Sequence, residues 1–286
     1  MLSRRVLIAS TALLPLSRAA LAGDNPERLI GQIETRAGGR LGVAAFDTRT
    51  GRRIGYRADE RFAMCSTFKL LAVSAILARV DRGAEELDRR IPYGEADLLD
   101  YAPITRAHMG DGAMSVGDLC AAAIRWSDNT AANLLLATLG GPAGVTRYAR
   151  SLGDPITRLD RNEPTVNTAI PGDPRDTTTP AAMLADLKRL TLDRALSEAS
   201  RARLITWLVN YRTSFARIPA GLPAGWASGN KTGTGANGTA NDVAIIWPAG
   251  RVPILMAVYY TGSTAPADAR DEVIADVARI VSATFV

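Results

Sequence analysis

Histidine occurs once in this chain, at His108, cysteine twice, at Cys65 and Cys120, and lysine three times, at Lys69, Lys188 and Lys231. Each scarcity excludes something. One histidine cannot build a His-rich zinc site, and a Ser-His-Asp triad would have to use that one residue. Two cysteines do not make a disulfide scaffold, and a protein of this size does not need one even where export permits a bridge. No apolar run reaches the eighteen or so residues of a membrane span. Repeats, heptads and low-complexity tracts are missing, which removes solenoids and coiled coils. Charge of one sign is not dominant either. The formal net charge is +5, and Arg4, Arg5 and Arg18 lie in a segment read below as removable. Without them 31 basic residues face 29 acidic ones, so the scattered arginines describe a solvated surface and not a nucleic-acid patch.

What is present begins with an export signal over residues 1–22. Arg4 and Arg5 form a positive start, "VLIASTALLPL" an apolar middle, and "ALA" at 20–22 a small-residue cleavage site, so the mature chain is expected to start at Gly23. A buried N-terminal helix is the alternative, and Pro15 and Arg18 break its pattern. "SRRVLI" also resembles a twin-arginine signal, with Sec export as the other route. No lipobox cysteine accompanies it. A periplasmic or secreted protein without a membrane anchor is expected.

Beyond the signal, "NPERLIGQIETRAG" has helical periodicity between Pro26 and Gly38, and "LGVAAFDTRTGRRIGYRA" reads as a β-hairpin turning at "TRTG". From residue 66 to about 210 the pattern is mostly helical, with helices expected at 67–82, 116–125, 129–139, 142–151, 180–190 and 198–210. Asp128 and Thr179 stand where N-caps belong. Residues 153–179 are rich in Pro, Asp, Thr and Asn without periodicity, and a loop of that length in a compact domain is usually functional. "GWASGNKTG", "NDVAIIWP" and "VPILMAVYYTG" then read as strands, followed by a helix over about 266–283. The economical fold is α/β: the two chain ends (23–62 and 209–286) complete one five-stranded antiparallel sheet with flanking helices. Residues 63–208 form an all-helical lobe carrying the 160–178 loop. A site between the lobes is the natural expectation.

Lysine's rarity makes its positions informative. Where arginine is used nearly everywhere, a retained lysine suggests a task for a group that can lose its proton when desolvated. In "CSTFK", Lys69 lies three residues after Ser66, so on a helix the two share a face, with Ser66 at the helix's positive end. The bland alternative is an N-cap serine before an exposed lysine. "SDN" at 127–129 offers a hydroxyl and an amide, or simply another N-cap. "EPTVN" at 163–167 puts a carboxylate and an amide in the long loop, or simply a turn. "KTGTG" at 231–235 supplies a cation and hydroxyls on a strand, or simply an exposed edge with a glycine bulge. Each is modest alone. All four, in this order and these settings, are not coincidence.

The combination resembles the class A serine β-lactamases, for which S-x-x-K, S-D-N and K-T-G are signatures shared with penicillin-binding proteins. The resemblance extends over essentially the whole mature chain, through "LGVAAFDT", "SDNTAANLLL", "GGPAGVT", "RLDRNEPTVNTAIPGDPRDTTTP" and "NDVAIIWP". It is strongest to extended- and broad-spectrum members. It implies a monomeric hydrolase of β-lactam antibiotics with the serine β-lactamase fold, needing no metal or cofactor. Ser66 would be the nucleophile, and the backbone N–H groups of Ser66 and Thr234 the oxyanion hole. Lys69, Glu163 or both would activate Ser66, and Ser127 with Lys231 would protonate the leaving nitrogen. Glu163 and Asn167 would hold and deprotonate the hydrolytic water. Asn129 and Tyr101 would meet the substrate's side chain. Thr232, Gly233, Thr234 and Arg217 would line its carboxylate, Arg217 replacing a strand arginine whose position looks like Ala240. Arg161 and Asp176 match the loop-closing ion pair, and Glu163–Pro164 the cis peptide. The family partners of Cys65 and Cys120 look like Gly235 and Val73, which implies two free thiols.

Several rivals share parts of this pattern. A D-alanyl-D-alanine peptidase shares the nucleophile and the K-T-G strand but lacks the loop's "EPTVN". A β-lactam sensor would need a span or signalling module. A class D enzyme lacks the E-x-x-x-N loop, and a metallo-lactamase would need the missing histidines. Titration of the unfolded, unreduced protein should find two thiols; finding none contradicts the reading. Cys65→Ala should retain most penicillin turnover while Ser66→Ala abolishes it, and the reverse pattern would overturn the assignment.

Overall fold

A computed structural model describes residues 25–286, so the export signal expected at 1–22 lies outside the described residues. The expected hairpin is β1 (Arg40–Asp47) and β2 (Arg53–Tyr56), and the three C-terminal runs are β7 (Ala227–Gly235), β8 (Thr239–Trp247) and β9 (Ile254–Thr261). They form one antiparallel sheet in the order β2-β1-β9-β8-β7, in which the closing pair β1–β9 joins the two ends of the chain. Two small pairs were not legible beforehand: β3 (Phe62–Ala63) with β6 (Thr177–Thr178), and β4 (Arg90–Pro92) with β5 (Ala113–Ser115). At two or three residues each, they carry too few side chains to show a period.

The helices follow the expected order: α1 (Pro26–Ala37), α2 (Phe68–Asp81), the unexpected single turn α3 (Pro103–Ala107), α4 (Val116–Arg125), α5 (Asn129–Thr138), α6 (Pro142–Ser151), α7 (Pro180–Thr191), α8 (Glu198–Val209) and α9 (Ala267–Thr284). Their starts are set by local chemistry. Asn25, Ser115, Asp128, Thr179 and Ser197 each accept a backbone N–H from the first turn, and proline occupies the first turn of α1, α6 and α7.

The sheet is buried on both faces. Leu255, Ala257 and Tyr259 of β9 join one core with the central helices, while Met256, Val258 and Tyr260 join a second with α1 and α9. That is why β8 and β9 read as continuous apolar runs despite being antiparallel. Helix α2 is buried from Phe68 through Ala78. A helix apolar all round belongs at the centre of a core, and the one charge inside that stretch, Lys69, must find partners there. Helix α7 packs on β1 and β9, joining the helical region to the sheet.

Three features aim the chain at one place. The 3₁₀ turn Cys65–Thr67 leads into α2, and Cys65 has φ 46°. Ser127, between α4 and α5, has φ 58°. Non-glycine residues in this left-handed region are strained and tend to cluster where function requires a particular side-chain direction. The third is close approach of the edge strand β7. A Cβ at Gly233 would lie 2.7 Å from the Met64 carbonyl oxygen, and one at Gly235 would lie 2.6 Å from both Cys65 Sγ and the Asn167 carbonyl oxygen. The glycines of "KTGTG" are therefore needed for β7 to touch both the 65–67 turn and the long loop.

Asp128 is fully buried and holds this geometry. Its carboxylate accepts from the N–H groups of Ile104, Thr105 and Ala131 and from the Thr105 hydroxyl. Asp128→Ala should cost about 3 kcal/mol or more, because several buried donors lose their acceptor together. Denaturant unfolding measures it, and a loss under about 1 kcal/mol would show that the turn is held by other contacts.

Candidate active site

The four motifs meet around the Ser66 hydroxyl. Lys69 Nζ donates to Ser66 Oγ at 3.0 Å, and Ser66 Oγ donates to Glu163 Oε1 at 3.2 Å. The i, i+3 spacing that put Ser66 and Lys69 on one helical face operates here across the junction of the 3₁₀ turn and α2. Lys69 is wholly buried and pairs with Glu163 Oε1 at 2.9 Å. It also donates to the Ser127 carbonyl at 2.7 Å and to Asn129 Oδ1 at 2.6 Å. On the far side of Ser127, Lys231 Nζ donates to Ser127 Oγ at 3.0 Å and to the Thr232 carbonyl at 2.8 Å. The Ser127 hydroxyl thus stands between two lysines, with Lys69 Nζ 3.4 Å away.

Burial is the main cause of the electrostatics. It lowers the Lys69 pKa from its usual value, and the neighbouring Glu163 carboxylate works against that shift. Lys231 is pushed well below the lysine range, first by burial and then by the like charge of Lys69. Both lysines are thereby closer to giving up a proton than exposed lysines are. Cys65 moves the other way: burial pushes its thiol up to about 12, so it stays protonated and unreactive. Cys65 and Cys120 are both buried and free, and Gly235 faces Cys65.

Glu163 is held by more than its lysine. The side chain of Asn167 donates to Glu163 Oε2. Asn133, on α5, donates to the Glu163 carbonyl at 2.9 Å and accepts from the Glu163 N–H at 3.0 Å. Asn133 stands one helical turn after Asn129 on the same face, and only that i, i+4 relation within "SDNTAANLLL" hinted at it. The Glu163–Pro164 bond is cis. Arg161 Nε pairs with Asp176 Oδ2 at 2.5 Å, and Asp176 Oδ1 accepts from the N–H groups of Asp160 and Arg161. The loop's end is tied to the sheet by Ala236 N–H donating to the Asn167 carbonyl at 2.9 Å.

The remaining expected residues line the edge of β7. Thr232 Oγ1 donates to Thr213 Oγ1 at 2.7 Å. Arg217 donates to Thr234 Oγ1 and to the carbonyls of Gly233 and Asn241, each at 2.8 Å, and pairs with Asp271 Oδ1 at 2.7 Å. Arg217 therefore lies buried behind Thr234. Ala240 stands opposite Thr234 in the β7–β8 register, leaving room for that arginine. Thr234 N–H belongs to the edge strand. Tyr101 is half exposed, and its carbonyl accepts from the Asn129 N–H. Thr213 and Asp271 were not legible: one stands in an irregular segment and the other 54 positions from its partner. Among the described residues no cluster of His, Cys, Asp and Glu could hold a metal.

A serine hydroxyl hydrogen-bonded to a lysine and a carboxylate, with a second desolvated lysine on the neighbouring edge strand, is an arrangement chemically able to transfer an acyl group. Comparison with known proteins identifies the family. A profile of the Beta-lactamase enzyme family matches residues 25–285, and the chain belongs to that family, in class A. It is thus a β-lactam hydrolase of the kind that confers antibiotic resistance. It is 47% identical to β-lactamase CTX-M-25 of Escherichia coli, over 98% of this chain and 97% of that protein. It is also 47% identical to β-lactamase OXY-2 of Klebsiella oxytoca, over 97% and 96%. The structure of an ancestral (GNCA) class A β-lactamase superposes with a TM-score of 0.88 at 61% identity, over 90% of this chain and 98% of that one.

Asn133→Ala should leave both backbone groups of Glu163 without their partners and lower stability by about 1–3 kcal/mol. Urea unfolding tests this, and an unchanged midpoint would show that the loop holds Glu163 without α5.

Proposed function

We propose that this enzyme opens the β-lactam amide of penicillins and cephalosporins in two steps through an acyl-enzyme on Ser66. The observation that carries the reading is the convergence of Lys69 Nζ and Glu163 Oε1 on Ser66 Oγ, at 3.0 and 3.2 Å. In the first step a base takes the Ser66 proton, Oγ bonds to the lactam carbonyl carbon, and the C–N bond breaks. Lys69 and Glu163 both lie within reach to act as that base. The N–H groups of Ser66 and Thr234 face the developing oxyanion. The departing nitrogen takes its proton from the Ser127 hydroxyl, which Lys231 supports at 3.0 Å.

In the second step Glu163 takes a proton from a water as the water oxygen bonds to the ester carbonyl carbon, the C–Oγ bond breaks, and Ser66 Oγ takes its proton back from Lys69 or Glu163, both in reach. Asn167 shares that water's position with Glu163, to whose Oε2 it already donates. Its own Oδ1 is buried without a protein partner and can accept from the water. Asn129 and Tyr101 contact the acyl side chain. The Thr232 and Thr234 hydroxyls bind the substrate carboxylate, with Arg217 polarising Thr234 from behind and Gly233 keeping the strand close. The Arg161–Asp176 pair braces the loop. The cleft lies between a sheet lobe (23–62 and 209–286) and a helical lobe (63–208). The chain works as a monomer exported by its 1–22 signal.

A D-alanyl-D-alanine peptidase is disfavoured by Glu163 itself, since a carboxylate beside the acylated serine hydrolyses the adduct that such enzymes retain. Glu163→Ala mixed with a penicillin should accumulate a stoichiometric adduct on Ser66, with deacylation slowed at least about 100-fold. Mass spectrometry reads both. An adduct elsewhere, or none, would overturn the mechanism.

A further inference from the structure

We propose that Asp186 is a positioning residue for the active-site loop: its carboxyl keeps a proton on Oδ2 and donates it to the Asp154 carboxylate, and this shared proton fixes the turn with which the loop begins. Asp186 lies on α7 and is fully buried, and Asp154, just beyond α6, is 3% exposed. A Cβ at Gly153 would lie 3.5 Å from Nη2 of Arg189, the guanidinium that pairs with Asp186 at 3.3 Å, so the chain at Asp154 runs alongside Asp186 and the two carboxyls meet. Two carboxylates facing each other in the core cannot both be ionised without a large penalty, so one proton between them is the stable arrangement.

The hydrogen-bond pattern says which one carries it. Both Asp154 oxygens already act as acceptors: Oδ1 from the N–H groups of Ile156 at 2.7 Å and Thr157 at 3.1 Å, and Oδ2 from Thr157 at 3.3 Å. Asp186 Oδ1 meets only Arg189 Nη1, at 3.3 Å, and its buried Oδ2 has no donor. An acceptor-only carboxylate would leave Oδ2 unsatisfied, whereas a carboxylic acid gives Oδ2 a bond to make. Arg150 of α6 stands close by, but its Nη1 is engaged with the backbone carbonyls of Asp154 at 2.6 Å and Thr157 at 2.8 Å. Tyr148 of α6 and Tyr259 of β9 are neutral phenols whose pKa values the Asp186 charge would raise further. The Tyr148 hydroxyl is itself buried without a partner. Arg189 draws the Asp186 pKa down, and burial together with Asp154 outweighs it, raising that pKa to about 8.

The turn that Asp154 caps leads directly to Glu163. Thr157 Oγ1 bonds Thr178 Oγ1 at 2.7 Å, and Arg158 N–H bonds the Thr177 carbonyl at 3.0 Å. Asp176 then holds the N–H groups of Asp160 and Arg161. Loosening the first turn loosens the arm that delivers Glu163.

The sign of the pH effect follows. A carboxyl whose folded pKa is raised to about 8 contributes stability that is full below the ordinary carboxylate range and is lost as pH rises through about 8. Asp186→Asn substitutes an amide donor that does not titrate, and Asp186→Ala removes the donor. The midpoint of urea unfolding of the natural enzyme should therefore fall relative to Asp186→Asn from about pH 4 to about pH 8 and run parallel to it above that. The kcat of the natural enzyme should decline more steeply than that of Asp186→Asn as pH rises through about 8. Asp186→Ala should be the least stable throughout. Parallel stability curves for the natural enzyme and Asp186→Asn below about pH 8, or an Asp186→Asn as damaged as Asp186→Ala, would overturn the shared proton. Diverging stability with identical kcat profiles would overturn the positioning role. The link to turnover rests on Glu163 as the deacylating base. The stability comparison does not involve Glu163, so it and the trapping of the Ser66 adduct can fail separately.

Discussion

The site depends on one buried ammonium. Lys69 sits on a helix apolar on every side, where an unpartnered charge would be prohibitively costly. Its partners come from three separate segments: Ser66 at the head of α2, Ser127 and Asn129 at the α4–α5 junction, and Glu163 on the long loop. Satisfying Lys69 therefore assembles the site. The same burial that demands these partners lowers the lysine's pKa, so the structural constraint and the chemical one are a single interaction.

The other contacts keep the three segments from drifting. Asp128 ties the α4–α5 junction to α3, and Asn133 clamps the backbone of Glu163 on both sides. The strand β7 can approach because Gly233 and Gly235 have no Cβ. Besides the buried Lys69 and Lys231, Arg217 lies buried behind that strand and is neutralised by Asp271 from α9. Hydrogen-bonded polar groups thus link α2, the α4–α5 junction, the long loop and β7 in one layer. Leaving any of them unpaired would cost more than its pairing contributes, which makes the layer rigid.

Much of this was legible beforehand for identifiable reasons. Long helices with caps and apolar periods, such as α5 behind Asp128 and α7 behind Thr179, announced themselves to within a residue or two. So did strands with continuous apolar runs. The single turn α3 and the two-residue strands β3 and β6 did not, being too short to carry a period. Among site residues, Ser66, Lys69, Ser127, Glu163 and Lys231 stood in local motifs. Asn133 was half-visible by helical spacing. Thr213 and Asp271 act through side chains brought together from distant segments, and nothing near them in the chain indicated a partner. The Asp154–Asp186 pair is of the same kind.

The sequence by itself determined which residues could do chemistry, because type and short spacing are local properties: a serine three residues before a lysine shares its face wherever the helix ends up. It also determined the family and the sheet-and-helix class. Only the tertiary structure decided which carboxylate meets which cation, how far each is desolvated, and so which way each pKa moves. Those quantities depend on distances between segments a hundred residues apart. Cys65 shows the division most simply. Sequence placed a strong nucleophile next to Ser66, and packing against Gly235 buried it and left the serine to face the lysine and the carboxylate.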